Sequence, residues 1–402
     1  MKQLFERDRF LLAVNAAISM LCSFVLLKIA IDLIGLSGRG SLVLLMTYST
    51  IGCNLLRFGL NQGSLSVFNQ VKDDPVRTDR TLSCFIALTL WQAGLGIVLA
   101  VIAANNFLEG TLNGLGVSSA TFAIYFGSYI LNSALVFYAS MLLPGRYLLE
   151  HTIVFNGCVF SLIYGNSLSS SASVTSFVII LAIGLCLGSI FLFIRGRVPM
   201  TLVVRFADAR PLLTNGSRVV VWSNLKDLMY KLDLLILPYL LSSQQFGLYT
   251  VVQSVVQSVW RVTDPLSGIY QRELTMGSAG ARVMGGLKFP LFLMLSALIF
   301  GLASVWAVGF FVSSNIEGIE LSVFFFGVMT LLFVYWKFVA VEFVVLGRNR
   351  FMYVTIVTYI LSYILLVPHV SHVSDALILA SSVYGLSAFL AFLLPRKFRS
   401  LC

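Results

Sequence analysis

Twelve charged side chains stand inside long apolar stretches of this chain: Lys28, Asp32, Arg57, Arg218, Lys226, Asp227, Lys231, Asp233, Arg261, Asp264, Lys337 and Glu342. Near the centre of a membrane helix each costs roughly 2.5 to 3.5 kcal/mol on insertion scales, so each needs a partner, water or a guest. Lys28 with Asp32 and Asp227 with Lys231 are one helical turn apart and can pair with each other, and Asp264 is well placed for Arg261. Arg57 has no acid within a turn, and Glu342 is five residues from Lys337. Buried cations therefore exceed nearby anions, and the chemistry this points to is binding of an anion. Lys28, Arg57, Lys226, Lys231, Arg261 and Lys337 are the candidates to line a wet cavity that receives it.

The carboxylates have a second use. The chain contains no Gly-rich phosphate loop, zinc-ligand cluster or nucleophile elbow, so work against a gradient must draw on proton or sodium entry, which needs a carboxylate that the ion neutralises. Asp233 and Asp32 are the first candidates, with Asp264 and Glu342 next; simple neutralisation of a neighbouring lysine stays open for Asp233. Trp222, Trp260 and Trp336 lie within a turn of Lys226, Arg261 and Lys337, where they can stack on sugar rings or pack the bundle. No catalytic, metal or cofactor site is expected. His369 and His372, with Asp375 nearby, follow Pro368 in a short polar turn and read as loop chemistry; five of the six cysteines fall inside apolar runs.

The elements that carry these residues follow from composition. Of 402 residues 58% are hydrophobic and 11% charged, with mean hydropathy +0.93, so the bilayer is the solvent. The apolar runs are spanning-length, not ten-residue alternating strands, which selects bundled helices over a barrel. Runs occur at about 10–34, 41–66, 82–104, 118–142, 147–166, 172–194, 214–242, 246–268, 286–312, 319–346, 351–367 and 376–394. The first is too long for the core of a cleavable signal peptide and is expected to stay as a span.

Basic residues set the orientation. The amino end, the even-numbered connections and the carboxyl end hold eighteen Lys and Arg, while the opposite connections hold only Arg39, so twelve spans with both ends in the cytoplasm are expected. The net charge of +10 divides between these connections and the helices, and nothing resembles a nucleic-acid module. The longest connection, about 195–213, divides the chain into an amino lobe, 1–200, and a carboxyl lobe, 201–402, with six spans each around a central cavity. A faint echo agrees: Lys28, Asp32 and Arg57 recur as Lys231, Asp233 and Arg261 at similar spacing. The outward connections are all short, which leaves a membrane glycosyltransferase or polysaccharide polymerase no large loop to fold over its substrate.

Three stretches resemble the polysaccharide-transport branch of the multidrug, oligosaccharidyl-lipid and polysaccharide exporter superfamily, in particular O-antigen flippases. They are the turn Leu36, Ser37, Gly38, Arg39, Gly40, Ser41; the run Lys231, Leu232, Asp233, Leu234, Leu235, Ile236; and Phe246, Gly247, Leu248, Tyr249 opening span eight. The family more often has Arg where Lys231 stands and a smaller residue than Phe246. The resemblance implies an undecaprenyl-pyrophosphate-linked oligosaccharide as cargo, flipped across a bacterial inner membrane for surface polysaccharide assembly. Polysaccharide polymerase and chain-length proteins are implied as partners. A pyrophosphate is an anion, in keeping with the buried cations. The rival readings are a major-type facilitator, a drug or cation antiporter, and a polymerase. The connection between spans two and three, Lys72 to Arg80, lacks the facilitators' glycines, and an antiporter would favour an acidic cavity.

Overall fold

A computed structural model describes residues 2–71, 74–106, 108–114, 116–167, 173–196, 206–260, 263, 288–312, 318–345 and 349–399. Among these the chain is helical, with no strand. It is an all-α polytopic membrane protein, and eight helices among the described residues are long and apolar enough to cross a membrane.

The first helix, α1 (Lys2–Arg57), has 56 residues, about 84 Å of helix at 1.5 Å per residue and far more than a hydrocarbon core of roughly 30 Å. Gly35 divides it: φ 70 and ψ 178 interrupt the helix where only glycine is unstrained, leaving one span on each side. The expected turn at 36–41 is thus a single-residue kink, and Leu36 to Ser41 are already helical. The second span also ends earlier than its apolar run. Phe58 and Gly59, at φ 47 and 66, break it, and α2 (Leu60–Val71) is a separate helix. The break lies against Gly216, where a Cβ would stand 2.7 Å from the Phe58 carbonyl oxygen.

The helices α3 (Pro75–Asn106), α5 (Ser119–Leu142), α6 (Gly145–Ser167), α7 (Val174–Arg195), α10 (Lys288–Val312), α11 (Glu320–Val345), α12 (Asn349–Leu366) and α13 (Val373–Arg399) follow the apolar runs; the short α4 (Glu109–Gly114) lies in a connection, and α8 (Phe206–Ile236) and α9 (Ser243–Val256) begin before their runs and end short of them. Serines start three of them: Ser118, Ser173 and Ser242 accept from the backbone N–H of Thr121, Ser176 and Gln245. Asp375 accepts from the backbone N–H groups of Ser371 and His372 at 3.1 and 2.9 Å, so its carboxylate closes the start of α13. Helix α10 leaves Met294, Leu295, Leu298, Ile299, Leu302 and Trp306 exposed along one face, a stripe suited to lipid.

The chain forms two compact units, residues 1–22 with 41–228, and residues 23–40 with 229–402. In the first, α5 packs on α3 and α7, and α6 packs on α7. In the second, α11 packs on α10 and α13, and α12 packs on α13. Spans three, four, six and five of one unit are therefore ordered as spans nine, ten, twelve and eleven of the other. The same packing order in both units supports an internal repeat more strongly than the faint sequence echo does. The expected boundary at 200/201 lies outside the described residues. Arg39, one turn beyond the Gly35 kink, is part-buried in the second unit and donates to Ser254 Oγ at 3.1 Å.

Candidate functional site

In the second unit, the end of α8 carries Asp233, which is only 2% exposed. Its Oδ2 accepts from the Tyr249 hydroxyl at 2.5 Å and from Gln253 Nε2 at 2.6 Å, and its Oδ1 accepts from the backbone N–H of Leu234 at 2.8 Å. Among the described residues no cation lies within ion-pair distance of it. Three donors hold the carboxylate in one orientation, and two come from the neighbouring helix α9.

The row of polar and aromatic side chains continues past the C-terminal cap of α9. Gln257, one turn beyond Gln253, donates to the Tyr384 hydroxyl at 3.0 Å. One turn further, the Trp260 ring lies 4.0 Å from Lys337 Nζ, and the Tyr230 ring lies 5.1 Å from it. Lys337 is 7% exposed. Phe333, beside both the Trp260 and Tyr230 rings, stacks on Trp336 at 4.9 Å between ring centroids and on Tyr384 at 4.7 Å, which extends the aromatic cluster. Tyr249, Gln253, Gln257 and Trp260 are spaced four, four and three residues apart, the repeat of one helix face. Of these the sequence marks Tyr249, within a stretch that carries the family resemblance, and Trp260; two glutamines at helical spacing in an apolar run were the signal for the other two.

The three stretches that carry the family resemblance meet in this unit. A Cβ on Gly247 would overlap the Leu36 carbonyl oxygen, and one on Gly40 would stand 3.1 Å from the Gly247 Cα. Tyr249, two residues on, is the donor to Asp233. The glycines permit a close backbone crossing between the chain just after the Gly35 kink and α9.

Lys28 and Asp32 also belong to the second unit and form a salt bridge of 2.7 Å, with side chains 38% and 54% exposed. Hydrocarbon does not solvate such a pair, so this flank of the first span faces water or headgroups. Asp32 and Asp233, alike in the sequence echo, thus differ: one is an exposed ion-pair partner, the other a buried hydrogen-bond acceptor. Lys231 is part-buried in the same unit.

In the first unit, Arg57 is 6% exposed at the broken end of the second span. Its Nη2 donates to the Ile130 carbonyl of α5 at 2.7 Å, while its buried Nε finds no acceptor. No carboxylate lies within ion-pair distance of it among the described residues. Arg261 and Asp264 lie outside the described residues, and so do the side chains of Arg218, Lys226, Asp227 and Glu342. No cluster of metal-ligating side chains occurs among the described residues. There, His372 Nδ1 meets Gln245 Nε2 at 3.1 Å.

No family model matches the chain, and no curated protein matches it. Solved structures do. A MATE transporter in a straight conformation aligns with TM-score 0.71 and 13% identity over 100% of this chain and 96% of its own. A MOP superfamily transporter from Pyrococcus furiosus, described by a binding pocket of reverse polarity that suggests a different function, aligns with TM-score 0.70 and 14% identity over 98% and 95%. An inward-facing multidrug resistance MATE family transporter of the MOP superfamily aligns with TM-score 0.67 and 13% identity over 97% and 98%. The fold is therefore that of twelve-helix, two-lobe membrane transporters.

Proposed function

We propose that the chain is a flippase that moves an undecaprenyl-pyrophosphate-linked oligosaccharide, an O-antigen unit or similar repeat, across a bacterial inner membrane by alternating access. Both termini face the cytoplasm, and the halves 1–200 and 201–402 act as the two lobes. The observation that carries the reading is Arg57: a buried guanidinium, without a carboxylate among the described residues and with Nε lacking an acceptor, on a transporter fold. A charge so placed is stable when an anionic guest completes it. Lys337 and Lys231 supply further cations in the second unit, with Lys28 at the exposed flank of the first span, and Arg261 and Lys226 are assigned the same role from the sequence.

Asp233 is the ion-coupling residue of this reading, with Asp32, Asp264 and Glu342 secondary. Its burial and fixed orientation suit a carboxylate that exchanges a cation or proton during turnover. No chemical step is assigned to the protein; a polysaccharide polymerase would act on what it delivers.

A drug or cation antiporter is the second reading, favoured by the multidrug transporters among the structural neighbours. Proteoliposomes separate the two. Export of a fluorescent lipid-linked oligosaccharide, abolished by Arg57→Ala, supports the flippase; ethidium–proton exchange without lipid translocation supports the antiporter.

A further inference from the structure

Helices α6 and α7 are apolar spans of the first unit that pack side by side in opposite directions, with Gly188 against His151 and Gly184 against Val159. The first turn of α6 therefore adjoins the end of α7, and an exposed charged cluster stands there. Arg195, the last residue of α7, reaches Glu150 of α6 through Nε at 3.5 Å. The pair is loose: Glu150 Oε2 makes no hydrogen bond, and among the described residues none engages the Arg195 guanidinium. Arg146, one turn before Glu150 on the same face, donates from Nη2 to the Tyr147 hydroxyl at 3.1 Å, and its guanidinium carbon lies 4.9 Å from the centre of that ring. Tyr147 thus steadies a second guanidinium at the surface. Two guanidinium groups against one carboxylate leave a single positive charge at the shared end of two spans.

The flanks of this cluster are apolar and uncovered. Ile153, one turn beyond Glu150, and Ile190 and Ile194, within five residues of Arg195, are more than half exposed. Ile183 and Leu187 continue the α7 stripe at the spacing of one helix face. On α6, Gly157 follows Ile153 by one turn, and a Cβ there would meet nothing within 4 Å. Cations at the end of two spans, with aliphatic faces running away from them along the helices, fit an amphiphile whose head lies at the guanidinium groups and whose chains follow the isoleucines. A phosphodiester carries one negative charge, equal to the charge left over here, and its oxygens accept the guanidinium fork. A pyrophosphate would bring surplus negative charge beside Glu150.

We infer that Arg146, Arg195 and the exposed flanks of α6 and α7 form a binding surface for an anionic phospholipid with a single phosphodiester, of the phosphatidylglycerol type. The two guanidinium groups donate to the phosphate oxygens, Glu150 keeps the local charge at one, and Ile153, Ile190 and Ile194 line the acyl chains. The surface does not depend on what the carrier moves.

Native mass spectrometry of the full-length protein in detergent tests this, with dioctanoyl phosphatidylglycerol as the probe and dioctanoyl phosphatidylcholine as the neutral control. The anionic lipid is expected to bind about tenfold more tightly, the low end for hydrogen bonds to charged groups. Arg146→Gln and Arg195→Gln are each expected to lower that preference about threefold, and together to abolish it, with phosphatidylcholine binding unchanged. Glu150→Gln is expected to tighten phosphatidylglycerol about twofold, an effect that a merely structural ion pair would not give. Ile194→Ser is expected to weaken both lipids alike. Equal affinity for the two lipids, a preference that survives the double arginine change, or weaker phosphatidylglycerol binding in Glu150→Gln would each overturn the inference. Displacement of the lipid by an equal concentration of inorganic phosphate would reduce the surface to a bare anion site, and tighter capture of farnesyl pyrophosphate would assign it to the cargo; either result overturns it too. If the double arginine variant does not fold, Glu150→Gln decides.

Discussion

Tyr249 donates its hydroxyl to Asp233 at 2.5 Å, joining the end of α8 to α9 inside the second unit. Gln253 donates to the same oxygen from the next turn at 2.6 Å. A buried carboxylate held this way ties helix packing to the state of one side chain. Tyr249→Phe and Gln253→Leu are each expected to destabilise the protein by about 1.5 to 3 kcal/mol, the range for hydrogen bonds to charged groups. Because both bonds share one acceptor, the double variant should lose less than the two losses added together. Thermal unfolding of the purified variants in detergent measures this, and strict additivity would mean that the two donors act independently.

Asp233→Asn keeps the size of the side chain and removes its charge. Ion-driven export should stop while binding of the lipid-linked intermediate persists. Restoration of gradient-dependent export by adding Lys231→Gln, or Lys226→Gln, would reduce Asp233 to a charge partner and remove its coupling role. The readout is export in vesicles with and without an imposed proton or sodium gradient.

Gly247 faces the Leu36 carbonyl with no space for a Cβ, whereas Gly157 and Gly165 in α6 have nothing within 4 Å of theirs. Gly247→Ala is expected to cost about 3 kcal/mol, the upper part of the usual overpacking range. Gly157→Ala should gain about 0.5 to 1 kcal/mol from helix propensity. Yield and melting temperature by size-exclusion chromatography after heating compare them; equal behaviour would argue against the close crossing.

Arg57→Ala should abolish translocation while leaving protein in the membrane, and Arg57→Lys should restore part of it, because charge is kept and the guanidinium fork is lost. The Ile130 carbonyl then loses its donor, so a fall in stability of about 1 kcal/mol is expected with either change. Full transport by the Ala variant would remove Arg57 from the guest's path.

Reporters fused after Asp74, Arg205 and Arg396 should read cytoplasmic, and those after Glu109, Gln244 and Ser371 periplasmic. A well-expressed fusion on the wrong side breaks the twelve-span topology.

Span positions were legible from the sequence because partition into lipid is a property each segment has by itself: a run of about twenty apolar residues crosses, whatever its neighbours are. Hence α3, α5, α6, α7 and α10 to α13 follow the apolar runs. The break at Gly35, the early end of the second span at Phe58 and Gly59, and the separate helix α2 were not legible, since each depends on backbone conformation or on a glycine facing another segment. The charged residues were visible, but not their company. Lys28 with Asp32 paired as one-turn spacing predicts, because both sit on one helix. Asp233 met Tyr249 and Gln253, and Lys337 met Trp260, 77 residues earlier in the chain. Those contacts join different helices. Sequence determined which residues the membrane would reject, whereas helix packing decided where each found a partner, since a pairing energy exists only once two segments are brought within a few ångströms.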